Sequence, residues 1–450
     1  MRIHLINATL IDGSGREPVP DCSVVIEDHR IVEISSRPVV PYDTSDVVLD
    51  AHRGFVLPGL VNHHAHGLTR GPLMIVGEPP LSDARVLFNC DRNLRGGVTT
   101  ALNVDGFPTV EDARSTMKRH PMNIAVSTLH TPLHLQWVDS PFPFGGVKAH
   151  HKLSAESMVQ RGALAVGETG PGIDGHWADY TLIPAAVEAV TGVRLTKEAA
   201  QLLRAAAEAR AEDSVRHLLD SHFSADNRIH SEWPEIFERV QAWRELARAA
   251  CDEAVETGIR LGVPVIFHHT PATFALIADA AASAGDRIIA AHSNYLATSP
   301  GDACRRAREL RRRGALIDVM SGDTYGPAQF FPNNDVQFAM FGEGLVDLIS
   351  SDYAGGFWDP LLRVVAEANR AGVLALGEGV RMVTSRPAEA IPGLAPERGL
   401  LKPGAVADIV ITAPDRLEDV RSVLISGHPV AVRSENPLIA PGTPVLSHCC

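Results

Sequence analysis

The middle of the chain, from about residue 57 to residue 390, alternates short apolar runs with Ala- and Arg-rich stretches of helical periodicity. Eight of the apolar runs have the length of a buried strand: GLVNHHAH, VTTALNV, NIAVSTLH, ALAVGE, VPVIFHH, RIIAAHS, ALIDVMS and LVDLISSD. Strands that are apolar on both faces and separated by helices are typical of a parallel sheet covered by helices. We therefore predict an α/β fold, a (β/α)8 TIM-like barrel over residues 57–390, with its active site at the carboxyl ends of the strands.

The two ends of the chain have a different pattern. Residues 1–56 and 391–440 alternate apolar and polar residues around turn residues, as in CSVVIEDHRIVEIS and VRSVLISGHPV, which indicates short antiparallel strands. We expect both ends to form one small β-sandwich domain. Residues 182–262 are too many for one crossover connection and have helical periodicity, so they are predicted to be a helical insertion that caps the site or forms an oligomer surface.

Composition narrows the classes of function. Hydrophobic residues make up 45% and charged residues 21% of the chain, as in ordinary globular proteins. A net charge of -13 argues against nucleic acid as a partner. No stretch of about 18 apolar residues indicates a membrane span, and the amino terminus lacks the pattern of a secretion signal. The six cysteines are scattered. We expect a cytoplasmic homo-oligomer that acts on a small molecule.

Residue types that bind metals lie at the ends of several predicted strands. Imidazole nitrogens and carboxylate oxygens are common ligands of divalent cations. The first two histidines are two residues apart and so face the same side of a strand. The candidate ligands are His64, His66, Glu168, His268, His292 and Asp352.

Each candidate also has a purely structural interpretation. Glu168 could interact with the dipole of the following helix, and Asp352 could cap one. A single buried histidine is more often a core residue than a ligand. His269 competes with His268, because adjacent strand residues point to opposite faces; we favour His268 and keep His269 as the alternative ligand from the fifth strand.

Four histidines and two carboxylates are enough for two divalent cations. Two cations about 3.5 to 4 Å apart can share a hydroxide and polarise a substrate carbonyl or imine. Asp352 would then act as general acid and base, taking a proton from the hydroxide and passing it to the leaving nitrogen. Mixed nitrogen and oxygen ligands favour zinc, and iron or manganese are also compatible.

Further polar residues follow other strands and are candidates for contacts with substrate. Loops at the strand ends commonly carry binding residues, although loop histidines are as often simply surface residues. These substrate-binding candidates are His130, His134, Asn294, Tyr295, Asp323 and Tyr325.

With these motifs the chain resembles the amidohydrolase superfamily over nearly its whole length. The resemblance is carried by PGLVNHHAH, the histidines ending strands five and six, Asp352 on strand eight, and TSRPAEAIPGL followed by GLLKPGAVADIVI. Glu168 on strand four is similar to the enamidase and adenine deaminase-like branch. The resemblance implies one metal held by His64, His66 and Asp352, another held by His268 and His292, and Glu168 between them. Two positions depart from the family pattern: Asn62 replaces an Asp, and Arg386 replaces an Asn.

The leading hypothesis is hydrolysis of a C–N bond in an amide, lactam or enamide by metal-activated hydroxide. The first alternative is an aminohydrolase (deaminase) acting on a purine-like or other amidine ring. Mononuclear deaminases of the superfamily that this chain resembles usually carry a Glu that acts as an acid, a few residues after the strand-five histidine. The corresponding segment here, HHTPATFALIAD, has no Glu. The second alternative is a non-catalytic scaffold, which the complete set of ligand residues disfavours, because clustered buried ligands without a metal cost stability.

Overall fold

The structure is a computed structural model that describes most of the chain. The described residues are 2–36, 46–74, 77–139, 146–173, 175, 177–224, 227–294, 299–321, 334–353 and 360–432.

Five short strands come first along the chain. They are β1 (Arg2–Leu10), β2 (Val19–Glu27), β3 (Arg30–Ser35), β4 (Val47–Asp50) and β5 (Phe55–Pro58). β1 pairs antiparallel with β2 and parallel with β4 and β5, and β3 pairs antiparallel with β2. This segment therefore forms a sheet before the chain enters the barrel.

Eight parallel strands form the barrel wall. They are β6 (Leu60–Ala65), β7 (Val98–Asn103), β8 (Asn123–Val126), β9 (Val166–Thr169), β10 (Val265–His268), β11 (Ile288–Ala291), β12 (Leu316–Met320) and β13 (Leu348–Ser350). β6 to β8 form one sheet and β9 to β13 another. Parallel bridges between Thr128 and Val166 and between Ala65 and Tyr353 join the two sheets at both edges. The predicted (β/α)8 fold class is confirmed.

The inside of the ring is filled by one layer of apolar side chains, as the interiors of such barrels are. Its members come from seven of the strands or from the residue just before a strand. They are Val61, Leu102, Ala165, Ile266, Ile289, Leu316 and Leu348, all buried in one cluster. Alternate residues of the same strands, such as Phe267 and Ile317, belong to a separate cluster that also contains helix residues. The strands are therefore apolar on both faces because both faces are covered.

Helices connect the strands and cover the outside. They are α1 (Asp83–Arg95), α2 (Val110–Met117), α3 (Pro132–Val138), α4 (Ala155–Arg161), α5 (Ile183–Thr191), α6 (Lys197–Glu208), α7 (Glu212–His222), α8 (Ile229–Leu261), α9 (Phe274–Ala284), α10 (Pro300–Arg312), α11 (Asp335–Gly342), α12 (Leu361–Arg370), α13 (Leu376–Met382) and α14 (Ser385–Ala390). Short 3-10 helices occupy Ala149–His151 and Gly285–Arg287, and a π-helix occupies Ala178–Leu182.

Four of these helices, α5 to α8, lie between β9 and β10. The first begins at Ile183 and the last ends at Leu261, and α8 alone runs for 33 residues. Trp137 of α3 stacks on Trp243 of α8, with ring centroids 4.4 Å apart. α8 therefore packs onto the barrel's outer layer. The helical insertion at 182–262 and its role as a cap or an oligomer surface stay predictions.

The chain returns to the first sheet at its other end. β14 (Ile409–Thr412), β15 (Val420–Ile425) and β16 (His428–Val432) extend that sheet in the order β16-β15-β14-β5-β1-β2-β3. Ile409 and Ile411 pack with residues of β1 and β2, whereas Val410 packs with the helix-covered face of the barrel. Both terminal segments thus build one β-domain, as predicted. Its boundaries at residues 56 and 391 stay a prediction, and residues 433–440 lie outside the described part.

Gly54 lies at the place in this sheet where strands from the two terminal segments of the chain are neighbours. Its carbonyl accepts a hydrogen bond from the Thr9 N–H, and a methyl group on its α-carbon would overlap the carbonyl oxygen of Thr412 in β14. We expect Gly54→Ala to lower the free energy of unfolding by about 1 to 3 kcal/mol, as overpacking does elsewhere. The measurement is the urea midpoint followed by circular dichroism.

Gly301→Ala is the matched control, because nothing lies within 4 Å of the added methyl group there. Equal urea midpoints for Gly54→Ala and the unmodified protein would contradict the close approach of residue 54 to β14.

Candidate metal centre

The six predicted ligands lie together at the carboxyl ends of the barrel strands. They are His64 within β6 and His66 just after it, Glu168 in β9, His268 at the end of β10, His292 just after β11 and Asp352 just after β13. Residues that are up to 288 positions apart in sequence thus meet at one mouth of the ring, because parallel strands all end at the same side.

A β-bulge turns the histidines of β6 inward. Val61 faces the barrel interior, whereas Ala65 packs in the helix-facing cluster, although residues four apart would share a face in a regular strand. The pairing with β7 explains the change, because Asn62 pairs with Ala101 but Ala65 pairs with Asn103. One extra residue in β6 shifts the alternation, so His64 and His66 face the mouth.

A second β-bulge, in β9, turns Glu168 towards the mouth. Between the pairs Val265–Val166 and Phe267–Thr169, β9 contains one residue more than β10. The bulge falls at Gly167, whose φ of +139° lies in a region that favours glycine. A methyl group on Gly167 would lie 2.6 Å from the Ile266 carbonyl oxygen. Glycine is therefore required beside the carboxylate.

His292 needs a further local change of direction. Ala291 faces the interior, so the next residue of a regular strand would face the helices. His292 instead has φ +39°, and Asp352 has φ +48°. Positive φ is uncommon for residues with a side chain and is concentrated at functional sites.

The two carboxylate oxygens of Glu168 face two different pairs of histidines. Oε1 lies 2.8 Å from His268 Nδ1 and 2.7 Å from His292 Nε2. Oε2 lies 3.5 Å from His64 Nε2 and 3.7 Å from His66 Nε2. Glu168 is therefore placed between the pairs.

Asp352 completes the group around the first pair. Its Oδ1 lies 3.4 Å from His64 Nε2 and 3.3 Å from His66 Nε2. His64, His66 and Asp352 each offer a ligand atom within 4.8 Å of the others, and so do His64, Glu168 and His292. Both groups could hold a metal ion.

His64 shows that the side chains fit a cation. It is fully buried, and neither of its ring nitrogens has a hydrogen-bond partner among the described residues. A buried polar atom without a partner costs free energy. A neutral imidazole is a common metal ligand, so a cation between His64 and the carboxylates would satisfy an atom that the protein alone does not.

The carboxylates of the cluster are ionised. Burial alone would raise the pKa of Glu168, but the charges of His64 and His268 outweigh it and hold that pKa well below its usual value. The pKa of Asp352 is also lowered despite burial, chiefly by a hydrogen bond from His66. When no metal is bound, protonated histidine supplies the positive charge beside Glu168. The pKa of His292 rises to about 9, because its hydrogen bond to Glu168 outweighs burial.

Two buried carboxylates outside the predicted ligand set support the ligands. Asp105 accepts a hydrogen bond from His66 Nδ1 at 2.8 Å. Asp318 accepts one from the His292 N–H at 2.8 Å and one from the Ser350 hydroxyl at 2.9 Å. Asp105 comes directly after the run VTTALNV, the same strand-end criterion that selected the ligands.

Asn62, one of the two departures from the family pattern, also supports the mouth. Its Nδ2 donates to Ser351 Oγ at 2.7 Å, and its Oδ1 accepts from the Ser351 N–H at 3.2 Å. Ser351 immediately precedes Asp352, so an amide here still fixes the end of β13 without adding a charge.

The structure separates His269 from the cluster. Its Nδ1 lies 2.8 Å from Ser293 Oγ, and its ring stacks against Phe274 of α9. Burial and the nearby charge of Arg306 lower the pKa of His269 to about 3. His268, not His269, is the histidine of β10 that contacts Glu168.

Two predicted substrate-binding histidines face the helices. His134 lies between Thr131 and Thr169, and the Thr169 hydroxyl also lies 3.1 Å from Cys251 of α8. His130 contacts Thr128 through Nδ1 and borders a cavity of about 340 Å³ that is also lined by residues of α3, α4 and α8.

Asn294 is the one remaining substrate-binding candidate that lies in the described part of the chain. The side-chain amide of Asn294 is bonded in both directions to the backbone of Met320. Tyr295, Asp323 and Tyr325 lie outside the described residues.

The fold and the site together define a barrel protein whose mouth carries two groups of side chains that could hold a metal ion. The sequence profile of the amidohydrolase family matches residues 55–432. The chain therefore belongs to the amidohydrolase family, as the motifs suggested. A search of curated protein sequences finds no significant match.

Solved structures share the fold at low sequence identity. A prolidase in complex with N-methylphosphonate-L-proline has a TM-score of 0.57 at 17% identity, over 96% of this chain and all of that one. A β-aspartyl dipeptidase from Fervidobacterium islandicum AW-1, in complex with a β-Asp-Leu dipeptide, has a TM-score of 0.56 at 15% identity, over 96% of both chains. An L-hydantoinase from Arthrobacter aurescens has a TM-score of 0.52 at 14% identity, over 96% of both chains. Membership of the enamidase and adenine deaminase-like branch stays a prediction.

Within the described part of the chain, every helix is too short or too polar to cross a membrane.

The burial of His134 makes stability depend on pH. Burial lowers its pKa to about 3, whereas the unfolded value is about 6.5. Above pH 6.5 the ring is neutral in both the folded and the unfolded state. As the pH falls from 6.5 towards 3, the unfolded state takes up a proton that the folded state does not, so the folded state loses stability. We expect the stability difference between the unmodified protein and His134→Asn to shrink by roughly 1 kcal/mol per pH unit below 6.

Urea midpoints between pH 8 and pH 5 measure this difference. His217→Asn, on the exposed face of α7, is the matched control, because it replaces a histidine that is not buried. A difference for His134→Asn that stays constant over this range would show that the ring is not kept neutral by burial.

Proposed function

We propose that this protein is a metal-dependent hydrolase that cleaves a C–N bond in an amide, lactam or enamide of a small molecule. The observation that carries the proposal is the position of Glu168, with one oxygen towards His268 and His292 and the other towards His64 and His66. A carboxylate in this position can bridge two cations.

Two divalent cations would be held by this cluster. His64, His66 and Asp352 would bind one, His268 and His292 the other, and Glu168 both. Mixed imidazole and carboxylate ligands favour zinc and are compatible with iron or manganese. When bound, such cations lower the pKa of water towards neutrality and polarise a carbonyl.

Asp352 is proposed as the general acid and base. Its carboxylate lies at the mouth, with 13% of the side chain exposed against 6% for Glu168. Its lowered pKa keeps it ionised, so it can accept a proton from the attacking water and return it to the leaving nitrogen. The network of Asn62 and Ser351 behind it holds the end of β13 in place.

The setting of the reaction is part of the proposal. We propose a small-molecule substrate, a homo-oligomer in which the helical insertion contributes a surface, and a cytoplasmic location. The last point is supported by the four described cysteines, which are all free and buried rather than paired.

Replacing His64 tests the metal centre. We expect His64→Asn to reduce bound metal to a small fraction and to lower kcat/KM by at least about 100-fold, because both candidate groups share His64. Elemental analysis of the purified protein and turnover of the best substrate measure the two effects.

His269→Asn is the matched control, since it changes the neighbour of His268 outside the cluster. It should keep its metal and most of its activity. Full metal content and turnover in His64→Asn would refute the metal assignment.

A substrate panel distinguishes amide hydrolysis from deamination. We expect metal-loaded protein to hydrolyse members of a panel of lactams, cyclic imides, N-acyl amino acids and dipeptides, with no ammonia released from aminopurines. The dipeptides are included because a structure of similar fold holds β-Asp-Leu. New carboxylate and amine groups detected by mass spectrometry support the proposal, whereas ammonia release from aminopurines alone would replace it with the deaminase alternative. No turnover combined with no bound metal would indicate a scaffold.

A further inference from the structure

Asp105 is a buried carboxylate next to the cluster that is not itself a candidate ligand. It follows β7 and is 1% exposed. Its Oδ1 accepts hydrogen bonds from His66 Nδ1 at 2.8 Å and from the Met74 N–H at 2.9 Å, and its Oδ2 accepts one from the Gly67 N–H at 3.0 Å. One side chain therefore contacts a candidate ligand and the backbone at two points.

The contact with His66 sets which ring nitrogen carries the hydrogen. A His66 that binds a metal through Nε2 carries no hydrogen there, so the hydrogen of its neutral ring lies on Nδ1, from which the Asp105 carboxylate accepts. Nε2 lies 3.3 Å from Asp352 Oδ1, which belongs to the same candidate ligand group. A carboxylate on the far nitrogen of a ligating histidine fixes the ring orientation and raises its basicity.

The two backbone contacts hold both ends of residues 67–74, here called the rim segment. This segment follows β6 at the mouth of the barrel. Asn103 holds it independently, because its Oδ1 accepts from the Leu68 N–H at 3.2 Å. Asn103 therefore provides a contact with the rim segment that does not involve His66.

We propose that Asp105 is a positioning residue, which fixes the tautomer of His66 for metal binding and ties that ligand to the rim segment. This inference rests on the proposed metal centre.

The test compares three variants loaded with Co²⁺. Asp105→Asn keeps the shape of the side chain but removes its charge and replaces one accepting oxygen with a donating amide group. Asp105→Ala removes every contact, and Asn103→Ala removes only the separate contacts with Leu68 and Thr69 of the rim segment. Co²⁺ affinity is measured by competition with a chromophoric chelator, and ligand geometry by the visible absorption of the cobalt-loaded protein. Trypsin cleavage after Arg70 reports opening of the rim segment.

We expect Asp105→Asn to bind Co²⁺ about 10-fold more weakly and Asp105→Ala up to about 100-fold more weakly, both with altered absorption bands. Asn103→Ala should keep the affinity within about twofold and the same absorption bands, while trypsin cleaves it faster. If Asp105→Ala does not fold, Asp105→Asn alone carries the comparison.

Two results would overturn the inference and leave the metal centre standing. One is unchanged Co²⁺ affinity and absorption in the folded Asp105 variants. The other is a loss of affinity in Asn103→Ala as large as in Asp105→Asn, which would make Asp105 only a support for the rim segment. An unmodified protein that binds no Co²⁺ would overturn both this inference and the proposed function.

Discussion

The arrangement of the barrel mouth depends on the burial of one ionised carboxylate among imidazole rings. Glu168 is 4% exposed, and the charges of His64 and His268 keep its pKa low. A buried charge is tolerated only when partners surround it closely. Those partners lie in β6, at the end of β10 and just after β11, and the closed ring of parallel strands brings them to both oxygens at once. The shape of the fold and the charge of the site therefore depend on each other.

The sequence predicts the strands well and the direction of their side chains less well. All eight apolar runs became barrel strands, because a strand buried on both faces has to be apolar throughout. His64 and His66 face the same side, as their spacing of two residues predicts. However, nothing in the sequence pattern places the bulges in β6 and β9 or the positive φ of His292. In a regular alternation the side chains of His64, His66, Glu168 and His292 would have faced the helices. The end of a strand therefore locates a candidate ligand but does not orient its side chain.

The residues expected to contact substrate show where local sequence is least informative. His130 and His134 follow β8, which made them reasonable candidates, yet hydrogen bonds to neighbouring threonines turn them towards the helices. Such contacts depend on tertiary packing that no local pattern specifies. Asp318 was not predicted because it lies inside an apolar run rather than at its end. Within the barrel it accepts hydrogen bonds from His292 and Ser350.

The pairing of β5 with β14 has a consequence for how the protein is made. These neighbouring strands are about 350 residues apart in the chain. At the usual ribosomal rate of roughly 5 to 20 residues per second, β14 is synthesised about 20 to 70 s after β5, and the edge of β5 is unpaired during that time. An unpaired strand edge is a template for wrong association during that time. Translation speed and chaperone access therefore matter for the yield of native protein, because the β-domain is completed only when the last strands leave the ribosome.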